Sequence, residues 1–131
     1  MIALDSSALI AFLAGATGRD TDVVDRLLAD HQACLPPVVL TEMLSDPKLP
    51  KQVAEILVQI PRLELLPGYW ERAGALRAKV LGQKRRARLA DTLIAQSCID
   101  HDVGLVTRDA DFRQFVRAGG LRLVGGPHRV A

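Results

Sequence analysis

The residues best suited to chemistry in this chain are carboxylates placed next to apolar segments. Asp5 follows three apolar residues in Ile2-Ala3-Leu4-Asp5, and Glu42 comes early in Val38-Val39-Leu40-Thr41-Glu42-Met43-Leu44. Asp91 opens the apolar run Thr92-Leu93-Ile94-Ala95, and Asp109 and Asp111 follow Val106-Thr107 in Val106-Thr107-Arg108-Asp109-Ala110-Asp111-Phe112. Four or five carboxylates in one small pocket raise one another's pKa, and partial burial raises them further. A hard divalent cation relieves both penalties. Mg²⁺ takes oxygen ligands and keeps several waters, which suits a set of carboxylates with no His or Cys among them.

Each acid also has a structural use. Asp5 is a good cap for a following helix, although Ser6 or Ser7 serves equally. Glu42 sits on the flank of an apolar helix face, where a solvated glutamate is ordinary. Asp91 at a helix start favours the macrodipole. Asp111 with Gln114 makes the Asp-x-x-Gln pattern of a capping box, whereas Asp109, directly off a strand turn, is the better ligand candidate. Thr107 is either a hydroxyl contact in the site or a strand residue of good β propensity. Lys84, Arg85, Arg86 and Arg88 run straight into Asp91. They read either as a solvated inter-helix loop or as phosphate contacts that position a polyanionic strand. Arg108 fits either use. Tyr69 and Trp70 read as packing rather than as stacking platforms.

The elements that must position these groups follow from periodicity and breakers. Short apolar strands are expected at Ile2–Asp5, Ala33–Leu35, Leu63–Leu66, Gly104–Thr107 and Leu121–Val124. Helices are expected at Ser7–Ala14, Asp22–His31, Val38–Ser45, Lys51–Ile60, the Tyr69-Ala73-Leu76-Val80 stripe, Ala90–His101 and Asp111–Arg117. The GATGRDT segment reads as a loop. Val39, Leu40, Met43 and Leu44 are expected inward, as are Val53, Ile56, Leu57 and Ile60. Short apolar strands alternating with helices predict a parallel sheet covered on both faces. Right-handed crossovers place the strand carboxyl ends on one edge, where sites in open α/β sheets lie.

The chain has 131 residues, 49 % apolar and 24 % charged, which predicts a single domain over residues 1–131. Disordered, collagenous and coiled-coil classes are excluded by that composition. Seventeen basic against fifteen acidic residues leave a net charge of +2, too mild to announce nucleic acid by itself. The two cysteines, Cys34 and Cys98, lack metal or dithiol spacing and read as small buried hydrophobes. The N-terminal segment has no basic n-region, and no apolar run approaches the roughly 20 residues needed to span a bilayer. A cytoplasmic protein is expected.

The order of LDSSALIAFL, VVLTEML, RLADTLIAQSC and a strand running into TRDADF resembles the PIN-domain nucleases, specifically the small VapC-like toxins of bacterial toxin–antitoxin pairs. The resemblance spans essentially the whole chain. It implies a PIN-like three-layer sandwich with a five-stranded parallel sheet of order 3-2-1-4-5. It implies a Mg²⁺- or Mn²⁺-dependent endoribonuclease. Asp5, Glu42, Asp91 and Asp109 would form the catalytic acidic site, with Asp5, Asp91 and Asp109 as direct ligands and Glu42 acting partly through water. Ser7 and Thr107 match supporting hydroxyl positions, and Asp111 a frequent extra acid of varying role. Hydrolysis of RNA by metal-activated water would leave 5′-phosphate and 3′-hydroxyl ends. A cognate antitoxin and a homodimer are implied as well. The basic tract lies outside the family's motif, and its assignment to RNA binding is a separate expectation. The competing readings are a catalytically inactive PIN-like protein- or RNA-binding module and a Mg²⁺-dependent phosphatase of haloacid-dehalogenase type. The phosphatase needs a second acid where Ser7 stands.

Overall fold

The first strand, β1 (Ile2–Leu4), is short and stops at Asp5, whose side chain accepts from the Ala8 amide and so caps α1 (Ser6–Leu13). In the computed structural model, which describes residues 1–125, the chain continues through α2 (Arg19–Ala29), β2 (Ala33–Cys34), α3 (Pro37–Leu44) and α4 (Lys51–Leu57). It is completed by α5 (Tyr69–Gly82), α6 (Leu89–His101), β3 (Leu105–Val106), a 3-10 turn (Ala110–Phe112) and α7 (Arg113–Gly119). The last residues of the expected 1–131 domain lie outside the described residues. Pro36 ends the extended segment and Pro37 occupies the first turn of α3, where its missing N–H costs nothing. Gly120, at φ +76°, closes α7 in the left-handed region.

The three strands are parallel in the order β2-β1-β3. Ile2 pairs with Ala33 and Ala3 with Cys34 on one side; Ala3 pairs with Leu105 and Leu4 with Val106 on the other. Neighbouring residues on a strand point to opposite faces. Ala3 and Leu4 are both fully buried, as are Leu105 and Val106, so both faces of the sheet are covered.

The sequence predicts five strands; among the described residues three form. In place of the expected third strand, Leu63–Leu66, stands an isolated parallel bridge between Leu35 and Arg62. The expected span carries exposed Glu64 and Leu65 and is bounded by Pro61 and Pro67, so a longer ladder would lose donors and gain no burial. The expected fifth strand, Leu121–Val124, makes one bridge, Leu105 to Leu123. Both segments nonetheless flank the sheet where the expected order puts them, the first beside β2 and the second beside β3.

Helix α2 begins at Arg19, three residues before the expected start, because Asp20 and Thr21 are buried rather than solvated. Its first turn is closed by Thr21 Oγ1 donating to the Gly18 carbonyl at 3.0 Å. Ile56 and Leu44, expected inward, are 60 % and 43 % exposed. Helix α4 ends at Leu57, its buried residue, before the expected Ile60, which is buried beyond the helix end. Cys34 and Cys98 are both free and buried. Tyr69 is buried with its hydroxyl donating to the Leu93 carbonyl at 2.7 Å, whereas Trp70 is exposed. Among the described residues, no helix is long and apolar enough to cross a membrane.

Candidate active site

Asp5 stands at the carboxyl end of β1, and its backbone N–H reaches the Val106 carbonyl of β3 at 3.2 Å. Pairing of β1 with β3 therefore brings residues a hundred positions apart to one sheet edge. Only 3 % of Asp5 is exposed. Its Oδ1 accepts from the Ala8 amide at 2.9 Å and from Ser7 Oγ at 2.8 Å. Its Oδ2 accepts from Thr107 Oγ1. Burial pushes the Asp5 carboxyl up to about 6; the hydrogen bonds from Thr107, Ala8 and Ser7 oppose that rise, and the nearby charge of Asp109 adds to it. The helix cap and the bonds to Ser7 and Thr107 thus coexist on one Asp5 carboxylate.

The two hydroxyls are themselves oriented by backbone donors. Ser7 Oγ accepts from the Arg108 amide at 2.9 Å, and Thr107 Oγ1 from the Asp109 amide at 3.0 Å. With an acceptor position filled in this way, each hydroxyl turns its proton toward Asp5. The two oxygens also lie 3.3 Å from each other. Thr107, one residue past β3, therefore binds Asp5 directly.

Asp91 is the third residue of α6, in its first turn. Its Oδ2 is buried and has no hydrogen-bond partner among the described residues. Burial pushes its carboxyl up to about 6; the charge of Asp109 adds to the rise, Arg88 opposes it, and Asp5 and Glu42 add smaller repulsions. Asp5, Glu42, Asp91 and Asp109 thus share one electrostatic neighbourhood. Glu42, on α3, is half-buried and accepts from Ser6 Oγ at 3.3 Å; burial raises its pKa while Ser6 opposes the rise. Asp109 Oδ1 accepts from the Asp111 amide at 2.9 Å.

That bond corrects the expectation of Asp111 as a helix cap. Asp109 caps the 3-10 turn, Asp111 lies within it, and α7 has no side-chain cap. Asp111 instead faces Arg86, with Nη1 to Oδ2 at 3.8 Å. Among the described residues, no three His, Cys, Asp or Glu side chains are gathered closely enough to hold a metal ion as they stand. The donor set still suits a hard cation: every acid offers oxygen, and the orphaned Asp91 Oδ2 is a buried lone-pair donor that needs a partner.

Lys84, Arg85, Arg86 and Arg88 are all exposed. The loop that bears them is pinned by buried Ala87, whose carbonyl accepts from Arg77 Nε at 2.8 Å. Its end leads directly into Asp91, so the cations border the acids on one side.

One pair that sequence reasoning missed is Asp20 with Arg108. Asp20 is 0 % exposed. Its Oδ2 accepts from Arg108 Nε and its Oδ1 from Nη2 at 3.1 Å. Burial alone would raise the Asp20 carboxyl, but the Arg108 hydrogen bonds and charge hold it below the usual carboxylate range. No local pattern links residues 88 positions apart in sequence. The only hint was an acid inside an otherwise loop-like segment.

Solved structures that share the fold include two chains of VapBC proteins. A chain of VapBC2 from Rickettsia felis, crystallised bound to a DNA fragment from its promoter, superposes with a TM-score of 0.72 at 20 % identity, covering 94 % of this chain and 97 % of that one. A chain of VapBC-5 from Mycobacterium tuberculosis gives 0.65 at 17 % identity, covering 94 % and 96 %. No curated protein matches the sequence significantly. The model of the PIN domain family matches residues 2–118, a span that takes in Asp5, Glu42, Asp91 and Asp109, and the chain belongs to that family.

Proposed function

We propose that this chain is a divalent-metal-dependent endoribonuclease and the toxin of a toxin–antitoxin pair. The observation that carries the reading is the buried, unpartnered Asp91 Oδ2 in the field of Asp5, Asp109 and Glu42. Such an oxygen is costly unless something positive completes it. Asp5, Asp91 and Asp109 would hold Mg²⁺ or Mn²⁺, with Glu42 acting partly through water. The bound ion would supply an activated water and charge neutralisation at a phosphodiester.

The chain's own residues do the rest. Ser7 and Thr107 hold the Asp5 carboxylate in one orientation. Asp5 and Asp91 give up their protons near pH 6, so both are anionic and able to ligate at neutral pH. Lys84, Arg85, Arg86 and Arg88 offset the repulsion that the acids exert on an RNA backbone and position it without reading its sequence.

The VapBC-5 structure belongs to a toxin–antitoxin family, which supports a cognate antitoxin here. A groove of about 310 Å³ lined by Ile10, Leu13, Met43, Leu49 and Val53 runs up to Glu42. Ile10 and Leu13 are exposed apolar residues of the kind a protein partner covers. The same reading includes self-association into a homodimer, which light scattering of the purified protein would test.

Purified protein incubated with total cellular RNA and Mn²⁺ or Mg²⁺, beside Asp5→Asn, tests the proposal. Discrete 5′-phosphate ends, absent with EDTA and with the variant, are expected. Ends bearing 2′,3′-cyclic phosphate overturn the hydrolytic reading. Absence of both cleavage and metal binding turns the chain into a non-catalytic binding module.

A further inference from the structure

The Asp20–Arg108 pair takes no part in the chemistry above, and the burial of Asp20 calls for another role. Asp20 is fully buried while the Arg108 side chain stays 32 % exposed; desolvating the carboxylate is costly, and an apolar residue of similar volume often serves stability as well or better. A forked guanidinium on a carboxylate offers direction instead. The pair is also specifically accommodated. A Cβ at Gly18 would lie 2.8 Å from Asp20 Oδ1 and 3.3 Å from Arg108 Nη2, at a φ of +149°. Arg108 Nη2 donates further to the Thr17 carbonyl at 3.2 Å. The loop between α1 and α2 is thereby built around one arginine from the far end of the chain.

That arginine lies between Thr107 and Asp109. Its amide fills the acceptor position of Ser7 Oγ, and the next amide fills that of Thr107 Oγ1. One tripeptide therefore sets both hydroxyls that bind Asp5 and carries the carboxylate of Asp109. The anchor of the tripeptide is the Arg108 side chain.

We propose that the pairing of buried Asp20 with Arg108 is a positioning device for the acidic site, fixing residues 107–109 so that both hydroxyls face Asp5 and the Asp109 carboxylate bears on Asp91. The inference rests on the metal-site reading above. Its consequence is that Asp20, in a helix that contributes no ligand, controls cation affinity.

The test compares the wild-type chain with Asp20→Asn, Arg108→Gln, Arg108→Lys and the double variant Asp20→Asn with Arg108→Gln. The double variant replaces the ions by amides of similar shape and serves if a single variant fails to fold. Amide hydrogen exchange is followed by NMR, and Mn²⁺ binding by titration calorimetry. The Arg108 and Asp109 amides should lose protection, while the Ala3 and Asp5 amides bonded to β3 and its flank keep theirs. Mn²⁺ affinity should fall by roughly 10- to 100-fold, the usual cost of losing a partner behind a ligand. Arg108→Lys, which keeps the charge but not the fork, should fall between. Unchanged protection of the two amides, or wild-type Mn²⁺ affinity in the double variant, overturns the proposal alone. Absence of Mn²⁺ binding by the wild-type chain overturns the metal-site reading, and the proposal with it.

Discussion

Asp91→Asn should make the metal-free protein more stable, not less. In the folded chain the Asp91 carboxyl is raised from 3.8 to about 6. A folded-state pKa above the unfolded one means that the folded form holds its proton more tightly. Stability is therefore full below about pH 4, falls as pH rises through about 6, and stays low above. That gap converts to about 3 kcal/mol. Asp91 is only partly buried, so solvent screening discounts the figure by roughly half. Losing a carboxylate from the first turn of α6 removes a further 0.3–1 kcal/mol or so of macrodipole stabilisation. No hydrogen bond to Oδ2 is sacrificed, because none is formed among the described residues. The net expectation is a gain of about 1 kcal/mol at pH 8, or roughly 3–6 °C in Tm for a domain of this size. The assay is thermal denaturation by circular dichroism in EDTA at pH 4 and pH 8. The variant should melt with the wild type at pH 4 and above it at pH 8. Adding Mn²⁺ should raise the wild-type Tm, by about 2.7 kcal/mol of stabilisation when the ion is at a hundred times its Kd, and leave the variant unmoved. A variant less stable than wild type at pH 8, or one that responds equally to Mn²⁺, refutes the reasoning.

Thr107→Val removes the donor to Asp5 and the acceptor of the Asp109 amide. It should cost about 1–3 kcal/mol in chemical denaturation, with Thr107→Ser recovering most of it. Mn²⁺ affinity should climb as pH rises through about 6, where Asp5 and Asp91 lose their protons, and calorimetric titrations at pH 5 and pH 7.5 measure this. Replacing Lys84, Arg85, Arg86 and Arg88 together by Ala should weaken RNA binding and flatten its salt dependence by about 0.7 for each phosphate no longer neutralised, as fluorescence anisotropy reads. The same variant should hold its stability, since all four side chains are exposed. Ile94→Ala, in the core beside the sheet, should destabilise by about 2–5 kcal/mol in the same denaturation experiment.

The central frame was legible because each step has a local cause. Three apolar residues before Asp5, the paired prolines after Leu35, and the stripe from Tyr69 to Val80 each mark an element, and each element forms. What failed was the edge of the sheet. Leu63–Leu66 and Leu121–Val124 have strand-like composition, but an outer strand gains partners on one side only, so composition overstates its ladder. Burial at Ile56 and Leu44 was overstated for a similar reason, since periodicity marks a face without saying whether anything covers it. The acids were legible singly, as residues at strand ends and helix starts. The Asp20–Arg108 pair was not, because its partners belong to elements joined only by the tertiary fold. The cap fell on Asp109 rather than Asp111 because a 3-10 turn intervenes before α7.

The pairing of β1 with β3 sets the moment at which the site comes into being. Asp5 leaves the ribosome long before Thr107, the residue that binds it. Domains form as units during synthesis at about 5–20 residues per second. A nascent chain that has released Asp5, Glu42 and Asp91 but not yet β3 has no strand to bring Asp109 to them. Closing so long a loop also makes this pairing a slow event, since its entropy must be met before its contacts form. The carboxylates of an unfinished chain are thus strangers to one another, and the site is born only once the whole span between Asp5 and Asp109 is free of the machine that makes it.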